Sequence, residues 1–164
     1  MAVFQRICAV LSALALNVAR VSLALLGLVV IYGVVMRYAF NDAPAYIEQV
    51  ALILVISVAM FGAAAGARDR GHIGLDTVIK MLPHHARLVM TVLVDLIGLV
   101  FGLILLLGSY EMGLSTLHDL IPTLGISEAF RYLPLSVAAA LIALFSIEHM
   151  LSIEWKAPEP SQEA

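Results

Sequence analysis

Four apolar stretches, each about the length needed to cross a lipid bilayer, decide what this chain can become. They cover about residues 21–38, 47–67, 88–110 and 133–150. A helix needs ~20 apolar residues to cross the ~30 Å hydrocarbon layer. Inside that layer no water satisfies the backbone, so each stretch must close its own hydrogen bonds as a helix. The expected fold class is an all-α integral membrane protein with four transmembrane helices. Composition agrees, with 62% hydrophobic residues, 13% charged and a mean hydropathy of +1.02. Soluble domains average about 45–50% apolar and about 25% charged. In a chain of 164 residues, the segments left between four spans are too short to bury a core of their own. That excludes a soluble catalytic domain.

The flanks divide the chain further. Residues 1–20 are apolar with Gln5, Arg6 and Asn17 interspersed, and read as an amphipathic, interfacial lead-in that ends at Arg20. Arg6 before an apolar run imitates a secretory signal peptide, but a second apolar run follows at once, with no soluble domain to deliver. Residues 151–164 form a polar tail ending in APEPSQEA, of a composition that stays disordered. Between spans two and three, Leu75, Val78, Ile79 and Leu82 recur at i, i+3, i+4 and i+7, with Asp76, Thr77 and Lys80 opposite. This predicts a short interfacial helix on the membrane surface, ended by Pro83. All six prolines avoid the span interiors, so no broken-helix substrate site is indicated.

Charge sets the orientation. With the N-terminus inside, the inner segments hold Arg6, Arg20, Arg68, Arg70, Lys80, Arg87 and Lys156, and the outer ones only Arg37 and Arg131. The positive-inside rule then places both termini in the cytoplasm. Tyr38, Tyr46, Tyr110 and Tyr132 mark the outer end of every span, as an interfacial aromatic belt does.

Few residues could carry chemistry. Asp95 is the ionisable residue placed well inside a predicted span, and a lone intramembrane carboxylate must face protein or water. From its depth it could reach Arg68, Arg70 or a partner subunit. Arg37 and Glu48 flank a short outer loop, close enough to pair with each other or to meet an outside partner. Gly62 and Gly66, like Gly98 and Gly102, have the four-residue spacing that lets helix backbones approach, within the bundle or between subunits. His72, His84, His85, His118 and His149 lie in loops or at a helix end, not on facing helices at the depth haem ligation requires. The single cysteine, Cys8, forms no internal disulfide and no zinc framework. No Ser/His/Asp set, phosphate loop or HExxH zinc motif is present, and the first span lacks the embedded glutamate of small multidrug exporters. No catalytic, substrate-binding or metal site is expected, and no cofactor.

The order of local patterns is more informative than any one of them. Arg37-Tyr38-Ala39-Phe40-Asn41 closes the first span and Tyr46-Ile47-Glu48 opens the second. Gly62 leads through Arg68 to His72-Ile73-Gly74-Leu75-Asp76 and Leu82-Pro83; Ile121-Pro122 and Tyr132-Leu133-Pro134-Leu135 bracket the entry to span four. Across residues 20–150 the chain resembles the small membrane subunit (DctQ, or Q-type) of tripartite ATP-independent periplasmic (TRAP) transporters. It departs from the family in having Tyr46 and the single acid Glu48 where a tryptophan and two adjacent acids are common. The resemblance implies a non-enzymatic permease subunit of the bacterial inner membrane. Its partners would be lipid, a large M-type permease subunit and a periplasmic P-type substrate-binding protein, with no nucleic acid. Sodium and substrate, an organic acid such as a C4-dicarboxylate or sialic acid, would bind the large subunit. Arg37, Glu48, Gly62, Gly66, Arg68, His72, Asp76 and Asp95 are the candidate interface or structural residues. Two alternatives stand beside it, a membrane anchor for a redox or lipid-modifying enzyme and a small self-sufficient transporter built on Asp95.

Overall fold

A computed structural model describes residues 2–42, 44–69, 84–122 and 125–154. Among them are four long helices: α1 (Ala2–Ala39), α2 (Tyr46–Arg68), α3 (His84–Ser115) and α4 (Leu133–Glu154). Each contains a stretch long and apolar enough to cross a membrane. A 3₁₀ turn, Glu128–Arg131, precedes α4. The described residues form no strand beyond one bridge between Leu120 and Ser127. The interfacial helix expected near Leu75–Leu82 lies outside the described residues, with His72, Asp76 and residues 155–164, whereas residues 151–154, expected to open the disordered tail, continue α4.

The lead-in and the first span are one helix. α1 has 38 residues, about 57 Å at 1.5 Å per residue, and runs unbroken through Arg20. Its buried residues explain why. Cys8, Ser12, Ala15, Ala19 and Ser22 recur at alternating spacings of four and three, and the half-buried Leu26, Val29, Gly33 and Met36 continue the series. A 3.5-residue period keeps one seam against a neighbouring helix for its whole length. The first twenty residues therefore belong to the bundle rather than to its surface.

α1 packs on α2, α2 on α4, and α3 on α4. The most buried helix is α4, which turns the small Ala138, Ala139 and Ala143 inward beside Ile142 and Phe145. Ala64 of α2 meets Ala138 and Ile142 there, edged by Met60, Phe61, Ala67 and Leu141. On the other side α3 comes close enough that a Cβ on Gly102 would stand 2.9 Å from the Ala143 nitrogen and 3.1 Å from the Ala139 carbonyl. Small residues on both helices permit that approach, which gives dispersion contacts where no hydrophobic drive separates helix from lipid. Ser136 Oγ lies 2.9 Å from Ser109 Oγ nearer the other end of the same seam.

Leu25, Leu28, Ile31 and Val34 on α1, and Ile97, Val100, Ile104 and Leu107 on α3, remain exposed. In a bilayer such side chains face lipid tails or another membrane helix.

Candidate functional site: an ionic cluster joining four helices

At the end of the bundle where α1 begins and α4 ends, one group of polar residues ties all four helices together. α2 finishes at Arg68, whose cationic side chain suits a helix C-terminus. Its guanidinium forks onto Glu148 of α4, Nε donating to Oε2 at 3.2 Å and Nη2 to Oε1 at 3.3 Å. Nη2 also reaches the Gln5 carbonyl of α1 at 3.5 Å. Cys8, fully buried, adjoins the Glu148 carboxylate from α1. The bidentate geometry is the strong form of an arginine–carboxylate contact.

His149, the next residue on α4, completes the connection. Its Nε2 lies 3.0 Å from the Arg68 carbonyl, one of the acceptors a helix C-terminus leaves without an intrahelical partner. A carbonyl only accepts, so Nε2 is the donor. Nδ1 lies 3.4 Å from Asp95 Oδ1 of α3. With Nε2 protonated, that second contact is favourable when a proton is held between the imidazole and the carboxylate. Asp95 is thus placed by α3, as its position in the sequence suggested, and it faces the bundle.

Arg68 was one of two arginines within expected reach of Asp95. In the fold it pairs instead with Glu148, because α4 lies between α2 and α3; Arg70 lies outside the described residues. Glu148 and His149 were missed because they fall where the fourth span ends. A signal was there: Glu148 follows Ala138, Leu141 and Phe145 at spacings of three and four, on the helix's buried side.

The opposite end, marked by the tyrosines, is looser. Arg37 Nη2 and Glu48 Oε1 do come together, at 3.7 Å, but both side chains are mostly exposed. Tyr32 and Tyr46 hydroxyls lie 3.2 Å apart. Firmer here is Arg131, which donates to Gln49 Oε1 at 2.7 Å and meets Glu128 at 3.1 Å, fastening the last loop to α2. Ser127 caps that turn, accepting from the Ala129 amide and donating to the Leu117 carbonyl at 2.8 Å. An apolar groove of about 310 Å³ runs beside it, lined by Tyr110, Leu114, Phe130, Tyr132 and Leu133 among others.

The two glycine pairs separate. Gly98 and Gly102 face α4, whereas a Cβ on Gly62 or Gly66 would meet nothing within 4 Å. Among the described residues, no group of three or more His, Cys, Asp or Glu is arranged to hold a metal ion.

These features define a class: a multi-pass membrane protein in which charged residues packed between the helices link them to one another. Residues 26–154 match the DctQ component of the tripartite ATP-independent periplasmic transporters. The chain belongs to that family, and so is the small permease subunit of a tripartite transporter. Two Haemophilus influenzae proteins described as TRAP transporter small permeases are 24% and 26% identical to it. The first match covers 79% of this chain and 81% of the relative, the second 72% and 73%. A Vibrio cholerae C4-dicarboxylate TRAP transporter small permease, DctQ, is 30% identical over 78 residues, 48% of this chain and 34% of that protein.

Proposed function

We propose that this chain is the bracing subunit of a sodium-coupled importer of organic acids, with both termini on the cytoplasmic side of the inner membrane. It holds the large transport subunit, which carries sodium and substrate, and its tyrosine end helps dock the periplasmic binding protein. One observation carries the reading. The half-buried Arg68 and the buried Glu148 are spent on each other, locking α1, α2 and α4 together, while long apolar faces stay uncovered. A transporter needs polar groups free to take up a ligand and a path that opens. A brace needs a rigid body and uncovered faces for its partner.

The positive-inside bias supports the orientation even with Arg20 removed from the inner count, since six inner cations still face two outer ones. The name of the Vibrio cholerae relative favours a C4-dicarboxylate as substrate. Co-expression tests the reading. The chain should copurify with its large subunit, and the pair plus binding protein should import the acid down a sodium gradient. A large subunit that assembles and transports at full rate without this chain would refute the bracing role.

A further inference from the structure

Arg20 stands mid-way along α1, far from both ends of the bundle. α1 is tied to α2 at two levels. At one, Gly33 lies against Ile47 and Tyr32 meets Tyr46; at the other, Arg68 reaches the Gln5 carbonyl. Between those levels α2 runs through 23 residues, about 34 Å, which matches the ~30 Å hydrocarbon layer. Arg20 is thirteen residues, about 20 Å, from the Gly33 level, and the 23-residue α2 leaves about 14 Å from Arg20 to the level of the Arg68 backbone. That is too deep for snorkelling to carry the guanidinium to a surface.

Yet Arg20 is exposed, off the buried seam, and no hydrogen bond or ion pair reaches it among the described residues. Asn17, one turn away, is exposed on the same face, with Ala13, Ala24 and Gly27. A Cβ on Gly27 would meet nothing within 4 Å. Small neighbours leave room for another helix backbone to come close. A guanidinium keeps its charge in any protein environment. At mid-membrane against lipid it is costly, and an acceptor in the same layer relieves it.

We propose that this face of α1 receives a transmembrane helix of the large subunit, which presents a carboxylate to Arg20 within the hydrocarbon layer. A carboxylate is specified because it matches the planar guanidinium fork in charge and geometry. The inference rests on the small-subunit reading above and names the surface that reading uses. Arg20 precedes residues 26–154, the stretch that matches the family, so the family match assigns it no role.

The test is recovery of the co-expressed large subunit on a tag carried by this chain, from membranes dissolved in mild detergent. Arg20→Leu and Arg20→Glu should each lower recovery at least tenfold, and Arg20→Lys should keep most of it. A photo-crosslinking residue at Ala13 or Ala24 should capture the large subunit, and one at Ile104 on α3 should not. Arg20→Leu should not lower the melting temperature of the isolated chain, so that lost recovery is not misfolding. Should it melt lower, the crosslinks made with Arg20 intact decide. Full recovery with Arg20→Leu, or capture from Ile104 but not from Ala13 and Ala24, overturns the inference and leaves the bracing role standing. Failure of the unaltered chain to recover the large subunit overturns both.

Discussion

The two ends of this bundle each carry an arginine–glutamate pair, and the pairs differ in almost everything except composition. Arg68 and Glu148 have side chains 23% and 6% exposed and meet through two hydrogen bonds. Arg37 and Glu48 are 61% and 76% exposed and approach only to 3.7 Å. The first pair joins helices distant in sequence, with α1 and Cys8 gathered around it. The second spans a short loop between consecutive helices. Burial, rather than the presence of opposite charges, decides which pair constrains the fold.

The largest effect should come from cutting the buried pair on one side. Glu148→Ala leaves the Arg68 guanidinium without its carboxylate, a loss of about 3–5 kcal/mol in comparable buried pairs. Thermal unfolding of the purified chain in detergent should show it, with Glu48→Ala close to the unaltered protein. Equal losses would erase the distinction between the ends.

Next in size is the backbone approach beside the cluster. Gly102→Ala drives a methyl against the α4 backbone, which cannot yield as a side chain can, and should cost about 1–3 kcal/mol. Gly62→Ala, with open space around it, should leave the isolated chain's melting temperature unchanged or slightly raised. If the order reverses, the assignment of α3, rather than the α2 glycine face, to the α4 contact is wrong.

Asp95→Asn should cost less, about 1 kcal/mol, because the Asn amide N–H can donate to His149 Nδ1 while Nε2 keeps donating to the Arg68 carbonyl. Import by the assembled transporter should survive this change. Lost import with assembly intact would make Asp95 part of a transport path. Smallest of all is the exposed pair. A double-mutant cycle on Arg37 and Glu48 should give a coupling of about 0–1 kcal/mol, falling further as salt is raised.

Much of this fold was legible in the sequence because a bilayer imposes few solutions on long apolar runs. The helix bounds of α2 and α4 lie within a few residues of the expected spans. The lead-in was harder. Gln5, Arg6, Asn17 and Arg20 suggested an interfacial segment, whereas the 8-12-15-19-22 spacing of Cys8, Ser12, Ala15, Ala19 and Ser22 marks the packed seam. Small residues carry little hydropathy, so the seam is faint beside the charges. Asp95 could be singled out by depth alone, but its contact could not be named. Which helix lies beside which is settled by packing across the bundle, and the sequence shows only faces. The glycine pairs make the same point, since identical spacing on α2 and α3 serves a crowded contact in one case and an open surface in the other.

The central claim, that this bundle braces a transporter and does not itself transport, is tested most directly by uptake into proteoliposomes under a sodium gradient. Labelled C4-dicarboxylate should enter only when this chain, the large subunit and the binding protein are all present, and vesicles holding this chain alone should match empty ones. Sodium-driven accumulation by this chain alone would contradict the account.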